Sequence, residues 1–284
     1  MLALLAKISL VPGVLFLTHN RFPKRELLSH DGDDNNVGIT NPFADVNYEA
    51  LAVSDNTSIE NFLKTHYYDA TSDDIKLIDA GQTAMFSQQE TSIVDVTENG
   101  IAYKLYTYRT QVGVPVPVKE SPTEMDSIFV NRKGFLLLEN SISEDPFDSA
   151  DRTWWSLAPT FGIQNIAPSP IKGWVKGFPI FKSGENKTDN GPITYVNPGK
   201  GYIFIPSGLA YPSINYQIGQ NINYLFDQTL VFKVELLDIV EDTDHDNDGT
   251  PSINEDANGD EDPRNDFSDS NSPNLPDYLN PDVN

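Results

Sequence analysis

Residues 171–181 constrain the fold more than any other part of the chain. Apolar residues occur there at helical spacing, at Ile171, Trp174, Val175 and Phe178. Pro179 limits the helix to about two turns, because proline disrupts a helix interior. A helix this short is not stable alone, so it needs a sheet that buries its apolar face. Residues 230–239 predict a strand of that sheet, since apolar residues recur at every second position from Leu230.

Other segments predict the rest of the sheet. Strand-forming residues or alternating polarity occur at residues 101–107, 127–131, 135–138 and 201–205. Together with residues 230–239 they predict an α+β fold, in which five or six antiparallel strands wrap around the short helix. Residues 184–200 and 212–227 are rich in Gly, Pro and Asn and predict long loops. Binding residues often lie on such loops.

Residues 1–20 form a separate apolar segment. They carry one charge before residue 19, Lys7, and their length fits a secretory hydrophobic region better than a full membrane span. We predict a signal or anchor-like segment, and export to the periplasm or cell envelope. The nearest basic cluster follows the apolar run instead of preceding it, so a misassigned start or a packed terminal helix stays open as an alternative.

Residues 21–90 predict a linker and an N-terminal helical extension. Residues 26–48 are rich in Asp, Asn and Gly, as linkers often are. Residues 57–60, Thr-Ser-Ile-Glu, have the spacing of a capping box, so we expect a helix that begins near Thr57. Its apolar face would consist of Ile59, Phe62, Leu63 and either His66 or Tyr67. We expect this face to dock on the main domain, and binding of a partner is the alternative.

Composition excludes several classes of function. The formal net charge of −23 repels phosphate backbones, so cations are expected as partners and nucleic acid is not. The sequence has no cysteine, which excludes disulfides, a thiol nucleophile and a lipid-modified Cys. Hydrolase, nucleotide and dinucleotide motifs are absent as well, and we expect no organic cofactor. The sequence leaves the oligomeric state open.

Five short blocks resemble, in order, the successive blocks of FKBP-type peptidyl-prolyl cis-trans isomerases. They are Ser-Ile-Phe-Val-Asn-Arg-Lys-Gly at 127–134, Asp-Pro-Phe-Asp-Ser at 145–149, Ile-Lys-Gly-Trp-Val-Lys-Gly at 171–177, Ile-Pro-Ser-Gly-Leu-Ala-Tyr at 205–211 and Thr-Leu-Val-Phe-Lys-Val-Glu-Leu-Leu-Asp at 229–238. The resemblance covers about residues 99–240, and we place an FKBP-like domain at residues 91–240. The layout is most similar to exported FKBP-type proteins of Bacteroidetes-like bacteria.

The resemblance implies an aromatic pocket between sheet and helix that receives a proline ring of a polypeptide substrate. It assigns Trp174 as the floor, Phe147, Tyr211 and Phe232 as walls, Phe161 as a further wall aromatic, Asp148 as the polar group of the wall and Ile171 as a backbone N–H donor to the substrate carbonyl. The implied catalytic set is Asp148, Trp174, Tyr211 and Phe232. The implied substrate-binding set is Phe147, Phe161, Ile171 and Arg132.

The chemistry of X-Pro isomerisation suits these residue types. The reaction is slow because amide resonance must be broken, at a barrier of about 18–20 kcal/mol. The twisted amide has less charge separation than the planar forms, so an apolar pocket with little water favours it over the ground state. No nucleophile and no proton transfer are required.

Arg132 departs from the family pattern. The family usually has a Tyr at this position, and a cation here can instead pair with Asp148 and fill the pocket. Residues 224–227, Tyr-Leu-Phe-Asp, also replace the usual Ile-Pro-Pro type segment. Two hypotheses follow: an exported isomerase that acts on X-Pro bonds, and a non-catalytic peptide- or protein-binding module on the same fold.

Residues 241–284 form an acidic tail with 14 Asp or Glu and one Arg. Residues 244–255 have carboxylates at positions 1, 3 and 5, Gly at position 6 and Glu at position 12, the spacing of an EF-hand calcium loop. Gly249 permits the sharp turn that this spacing needs. The candidate ligands are Asp244, Asp246, Asp248, the carbonyl of Thr250, Glu255, Asp256, Asn258 and Asp260.

The residues that flank this loop indicate which kind of calcium site to expect. Pro251 and the lack of apolar flanking helices argue against a paired helix–loop–helix. Residues 256–260 and 277–282 make the tail resemble thrombospondin type 3-like calcium repeats, which have little secondary structure. We expect structural Ca²⁺, bound weakly at about 10⁻⁴–10⁻³ M. A disordered solubilising tail is the alternative. We expect His245, between two ligands, to be solvated.

Overall fold

The computed structural model describes residues 40–161, 166–167 and 169–283, and the side chains of residues 161, 166 and 167 are left out of the description. Residues 40–284 form one unit by their contacts. The predicted signal or anchor-like segment, residues 1–20, and most of the predicted linker lie outside the described residues. None of the helices in the described part is long and apolar enough to cross a membrane.

A six-stranded antiparallel sheet is the centre of the fold, as predicted. Its strands are β3 (Thr91–Glu98), β4 (Ile101–Gln111), β5 (Ser127–Leu136), β6 (Asp148–Ser156), β11 (Gly199–Ile205) and β12 (Leu230–Val240). They lie in the order β3–β4–β11–β12–β5–β6. The two predicted strands at residues 127–131 and 135–138 are one strand, β5, while β3 and β6 were not predicted.

Six shorter strands form three hairpins outside this sheet. They are β1 (His66–Asp69) with β2 (Asp74–Leu77), β7 (Thr160–Phe161) with β8 (Ile166–Ala167), and β9 (Glu185–Asn186) with β10 (Tyr195–Val196). Short 3₁₀ turns occur at Met85–Ser87, Phe178–Ile180, Ser207–Leu209, Ser213–Asn215, Ser252–Asn254, Pro263–Asn265 and Asp277–Leu279. The predicted long loops at 184–200 and 212–227 thus contain the β9–β10 hairpin and one 3₁₀ turn, respectively.

Both faces of the sheet are buried, which the period-two pattern of β12 explains. Leu230, Phe232, Val234 and Leu236 belong to the core on the side of the short helix. Val231 belongs to a second core on the opposite side, together with Tyr106 and Phe204. A strand with apolar residues on both faces needs a cover on each side.

The short helix α2 (Lys172–Gly177) covers the first face and continues into the 3₁₀ turn Phe178–Ile180. Trp174, Val175 and Phe178 are buried, as the helical spacing predicted. The helix lies very close to β11, since a Cβ added to Gly173 would be 2.4 Å from Cγ2 of Ile205. The glycine therefore permits this close packing at the cost of helix propensity.

The long helix α1 (Tyr48–Thr65) covers the second face. The predicted start near Thr57 is wrong, because Asn47 is the N-cap and its Oδ1 accepts the N–H of Ala50 at 2.9 Å. Thr57 is a helix-interior residue that donates to the carbonyl of Val53 at 2.8 Å. The helix thus begins within residues that were predicted to be linker.

The apolar face of α1 is buried as predicted. Ile59, Phe62 and Leu63 pack in the second core, which also contains Tyr106 and Phe204 of the sheet. His66 ends this face in β1, and it is buried with its ring stacked on Phe62 at 3.9 Å. The helix is therefore part of the folded unit.

A buried carboxylate ties α1 to the sheet. Asp55 is fully buried, and its Oδ2 accepts the N–H and the hydroxyl of Ser207 at 2.9 and 2.5 Å. Its Oδ1 accepts the hydroxyl of Thr229 at 2.9 Å. Ser207 follows β11 and Thr229 precedes β12, so one side chain joins the helix to the ends of two central strands.

The acidic tail packs against the sheet although residues 241–283 contain only 3₁₀ turns as regular structure. Tyr278 and Leu279 are fully buried in a small core with Met125 and Ala158. The Tyr278 hydroxyl donates to the carbonyl of Pro159 at 2.8 Å. The tail is irregular, as predicted, and it is tied to one end of the β5–β6 pair, where β5 begins and β6 ends.

Candidate functional site

An apolar cavity of about 80 Å³ lies between the sheet and α2. Its lining residues are Arg132, Asp148, Trp155, Pro170, Ile171, Trp174, Tyr211 and Phe232. Six of them come from the predicted sites, brought together from β5, β6, α2 and its N-cap, β12 and the segment after β11. A single water needs roughly 10–15 Å³ of such space, so the cavity can hold a small group of several atoms.

Aromatic rings form the inner part of the cavity. The Trp174 ring lies 5.2 Å from that of Phe232 and 5.9 Å from that of Trp155, edge to face in both pairs. Phe147, a predicted wall residue, is not among the lining residues but packs edge to face on Phe232, with the ring centroids 5.6 Å apart. This packing needs the glycine at position 134, because a Cβ there would be 2.7 Å from both rings.

Trp174 combines an apolar surface with a free donor. The residue is 3% exposed, and its indole N–H is buried with no hydrogen-bond partner among the described residues. Buried tryptophans usually pair this N–H. Trp174 therefore contributes to the cavity through its ring, and its N–H is a buried donor that no described residue pairs.

Arg132 makes the predicted ion pair with Asp148. Its Nε donates to Asp148 Oδ2 at 2.6 Å, and its Nη2 donates to Oδ1 at 3.2 Å. A third hydrogen bond joins Nη1 to Thr153 Oγ1 at 2.9 Å. The guanidinium carbon lies 5.0 and 5.6 Å from the ring centroids of Trp155 and Trp174. Arg132 is thus fixed as a wall of the cavity, and the cavity remains open beside it.

Tyr211 lines the same cavity and stays protonated. Burial raises the pKa of its hydroxyl, and the negative charge of Asp148 raises it further, although Arg132 lowers it. A protonated hydroxyl can donate a hydrogen bond to a ligand. Ile171, the N-cap of α2, also lines the cavity.

Sequence analysis missed two of the lining residues and leaves one prediction undecided. Trp155 and Pro170 line the cavity without having been predicted. The alternation along β6 gave no signal for Trp155, because an irregularity at residues 151–152, where Arg152 has φ of +55°, interrupts the alternation that begins at Asp148. The side chain of Phe161 is outside the described residues, so its predicted role as a wall is not addressed.

The tail brings together the first three predicted cation ligands. One carboxylate oxygen from each of Asp244, Asp246 and Asp248 lies within 4.8 Å of the other two. Gly249, with φ of +103°, adopts the left-handed conformation that the turn requires. Thr250, the fourth predicted ligand, donates its N–H to Asp248 Oδ1 at 2.7 Å.

Glu255 is buried beside this cluster. The residue is 6% exposed, and neither of its carboxylate oxygens has a hydrogen-bond partner among the described residues. Burial, and then the charges of Asp246 and Asp248, raise the pKa of Glu255 to about 8. Asp277, which was not predicted, also raises this pKa, and it is 1% exposed with an unpaired Oδ2. Such a group of carboxylates fits a cation better than it fits any protein partner in the described chain.

His245 is half-buried, so the prediction that it is solvated is wrong. Its Nε2 lies 2.9 Å from Ser156 Oγ, and its Nδ1 lies 2.9 Å from Ser252 Oγ. Burial lowers the pKa of its imidazole. His245 thus connects the loop of Asp244, Asp246 and Asp248 to the end of β6, next to Trp155.

An antiparallel sheet wrapped on a short helix, with an aromatic cavity between them, defines an α+β domain that can take up a small apolar group. No protein-family model and no curated protein matches the chain. Among solved structures, the chain is similar to a peptidyl-prolyl cis-trans isomerase from Pseudomonas syringae pv. tomato, with 16% identity and a TM-score of 0.38, over 69% of this chain and 98% of that chain.

Two further solved structures are similar over about half of their own length. FkpA from Escherichia coli has 23% identity and a TM-score of 0.33, over 55% of this chain and 54% of that chain. The FKBP domains of wheat FKBP73 have 15% identity and a TM-score of 0.33, over 53% of this chain and 51% of that chain.

Proposed function

We propose that the chain is a peptidyl-prolyl cis-trans isomerase that acts on X-Pro bonds of exported proteins. One observation carries the proposal: the cavity is lined by Trp174, Tyr211 and Phe232 and bordered by the Arg132–Asp148 pair. These are four of the residues that the ordered FKBP-like blocks assign to proline binding, together with the cation that replaces the family's Tyr.

The residues would act by binding and by excluding water. The proline ring would lie on Trp174 and Phe232, where the apolar surface favours the twisted amide over the planar one. The Tyr211 hydroxyl and the backbone N–H of Ile171 would hold the peptide carbonyls. Asp148, fixed by two hydrogen bonds from Arg132, would keep the polar side of the cavity in place. None of these roles moves a proton.

The test is the rate of cis-to-trans conversion of short X-Pro peptides, with and without the protein, in millimolar calcium. We expect acceleration that is lost in Trp174→Leu and in Asp148→Asn. Trp154→Ala is the matched control, since Trp154 is 50% exposed and stacks on Phe129 on the other side of β6. No acceleration by the folded protein, for any residue before proline, would refute the isomerase.

A non-catalytic peptide-binding module is the second candidate. The observation that favours it is Arg132, whose guanidinium lies over Trp174 and Trp155, where a proline ring would compete with it. This candidate predicts that proline peptides bind and perturb Trp174 fluorescence, while their isomerisation rate does not change.

We also propose that the protein is exported, on the basis of the apolar residues 1–20. Fractionation of cells that express the full chain tests this. Recovery with the periplasm or envelope supports it, and recovery with the cytoplasm contradicts it.

We further propose that Asp244, Asp246, Asp248 and Glu255 bind a structural Ca²⁺, with the carbonyl of Thr250. Support comes from Glu255, whose two buried oxygens have no partner among the described residues. A bound cation would offset the cost of burying this carboxylate. Calorimetric titration should detect Ca²⁺ binding that Glu255→Gln weakens at least tenfold, and equal binding by the variant would refute the site.

A further inference from the structure

The connection between β11 and β12, residues 206–229, carries one wall of the cavity. Tyr211 lies in its first part and lines the cavity. The N–H of Asp227, near its end, donates to the carbonyl of Tyr211 at 3.0 Å. Asp227 has a left-handed backbone, with φ of +58°, which aspartate adopts more readily than most residues do. The two limbs of the connection therefore meet at Tyr211, and a contact that fixes Asp227 also fixes this wall residue.

Hydrogen bonds lead from Asp227 to the first turn of α1. The carboxylate of Asp227 accepts the N–H and the hydroxyl of Ser213 at 2.8 and 2.5 Å. The Tyr48 hydroxyl lies 3.0 Å from the same Ser213 oxygen. Because Ser213 has one hydroxyl proton and gives it to the carboxylate, Tyr48 is the donor to Ser213. Ser213 is fully buried, so bulk water does not replace these bonds.

Phe43 makes a second contact with the connection. Its ring packs edge to face on Tyr216 and on Phe226, with centroid distances of 5.3 and 5.6 Å. Tyr216 and Phe226 also contact each other, at 6.2 Å. One of these two rings belongs to the outgoing limb of the connection and the other to the returning limb. Phe43 therefore completes an aromatic cluster that joins the limbs, and such ring pairs stabilise beyond the area they bury.

Both contacts come from outside the domain that the FKBP-like blocks define. Phe43 and Tyr48 precede residues 91–240 and every strand of the sheet. Asp55 of the same helix α1 is bonded to both ends of the same connection. The chain before the sheet thus holds the β11–β12 connection at its ends, at Ser213 and across its limbs.

We propose that Phe43 and Tyr48 are positioning residues for Tyr211. They hold the connection in the conformation that places the Tyr211 side chain in the cavity wall, and neither of them lines the cavity. The inference rests on the proposed function and deepens it, because the site that binds the proline peptide is then completed by the chain before the sheet. Without either contact, Tyr211 is free to move away from the peptide carbonyl that its hydroxyl holds.

Peptide isomerisation kinetics, arranged as a double-mutant cycle, test whether the two residues act through Tyr211. A hydroxyl that binds the peptide equally in the ground state and the transition state affects KM and leaves kcat nearly unchanged. We expect Tyr48→Phe and Phe43→Leu each to raise KM about 2- to 10-fold, the range of one hydrogen bond. In the Tyr211→Phe background neither change should raise KM further. An equal increase in that background would overturn the inference.

Amide hydrogen exchange of the full chain gives a readout that does not depend on isomerase activity. The N–H of Asp227 reports the bond to the Tyr211 carbonyl. We expect it to exchange at least tenfold faster in both variants, while exchange along β12 stays as in the wild type, since the opening is local. Tyr67→Phe is the matched control for Tyr48→Phe, because no described residue bonds the Tyr67 hydroxyl, and it should leave KM and the exchange at Asp227 unchanged.

The two measurements separate this inference from the proposed function. If the wild type neither isomerises nor binds X-Pro peptides, the proposed function fails, and exchange at Asp227 alone decides the inference. Unchanged exchange at Asp227 in both variants would refute it. Exchange that becomes equally faster along β12 would also refute it, because the residues then only stabilise the fold. Should Phe43→Leu fail to fold, Tyr48→Phe decides by the same criteria.

Discussion

Replacing Arg132 with methionine tests whether the cavity depends on its ion pair. Methionine keeps much of the length and the apolar stem of arginine, but it loses both hydrogen bonds to Asp148 and the one to Thr153. No other side chain among the described residues then donates a hydrogen bond to Asp148. We expect a folded variant that is less stable and that accelerates X-Pro isomerisation less than the wild type does.

The expected size follows from the exposure of the pair. The Arg132 side chain is 11% exposed, but that of Asp148 is 33% exposed, so water replaces part of what the carboxylate loses. The ion pair should therefore contribute about 1 kcal/mol, near the upper end for exposed pairs. Contacts with the two indole faces add about 0.5–1 kcal/mol. The total of about 1.5–2 kcal/mol corresponds to a fall in Tm of roughly 3–8 °C for a unit of this size.

The same free energy sets the upper limit of the effect on the catalysed rate. If the transition state loses about 1.5–2 kcal/mol, the catalysed rate falls roughly 10- to 30-fold. Thermal unfolding and the peptide isomerisation assay measure the two effects. Lys133→Met is the matched control, since Lys133 is the exposed neighbour on β5 and should change neither quantity appreciably. Faster isomerisation or tighter peptide binding by Arg132→Met would refute the reasoning, and would show that Arg132 obstructs the cavity.

Three further predictions concern stability. Asp55→Ala should lower the free energy of unfolding by about 3–5 kcal/mol, because it leaves the buried donors of Ser207 and Thr229 without their acceptor. Denaturant unfolding measures this loss, and a value below ~1 kcal/mol would contradict the prediction. Burial lowers the pKa of His66 below 6.5, so protonation of this imidazole opposes folding. The free energy of unfolding should therefore fall as the pH drops below 6.5, and His66→Gln should flatten that pH dependence. An unchanged slope in the variant would exclude His66 as its source. Removing 1 mM Ca²⁺ with a chelator should cost about 1.4 kcal/mol per site of 10⁻⁴ M affinity, and a Tm unaffected by the chelator would contradict structural calcium.

Much of the fold follows from local pattern. The alternation of β12 and the helical spacing before Pro179 predicted the central strand and the helix that packs on it, because each pattern records which side is buried. The predicted start of α1 was wrong because Thr57 and Asn47 both have side chains that can cap a helix, and Asn47 is the N-cap. Sequence spacing does not indicate which of two possible caps the tertiary contacts select.

In the candidate sites too, residues with a local pattern were predicted, and residues that distant parts of the chain contribute were missed. Asp244, Asp246 and Asp248 were predicted because their ligand spacing is local. Asp277 was missed because a later turn of the chain brings it near Glu255, and a solvent-facing carboxylate has the same sequence signal as a buried one. Trp155 was missed because β6 is mostly polar and an irregularity near Arg152 interrupts its alternation, so residues 148–156 were not recognised as a strand.

Both faces of the sheet are covered, and this determines the shortest fragment that could carry the cavity into another protein. A fragment that begins at Thr91 would leave Tyr106, Phe204 and Val231 facing water, since α1 is what covers them. It would also remove the Asp55 anchor from the ends of β11 and β12. A fragment that keeps both faces covered therefore has to begin before Tyr48, and removing the helix would produce a self-associating fragment instead of a smaller folded domain.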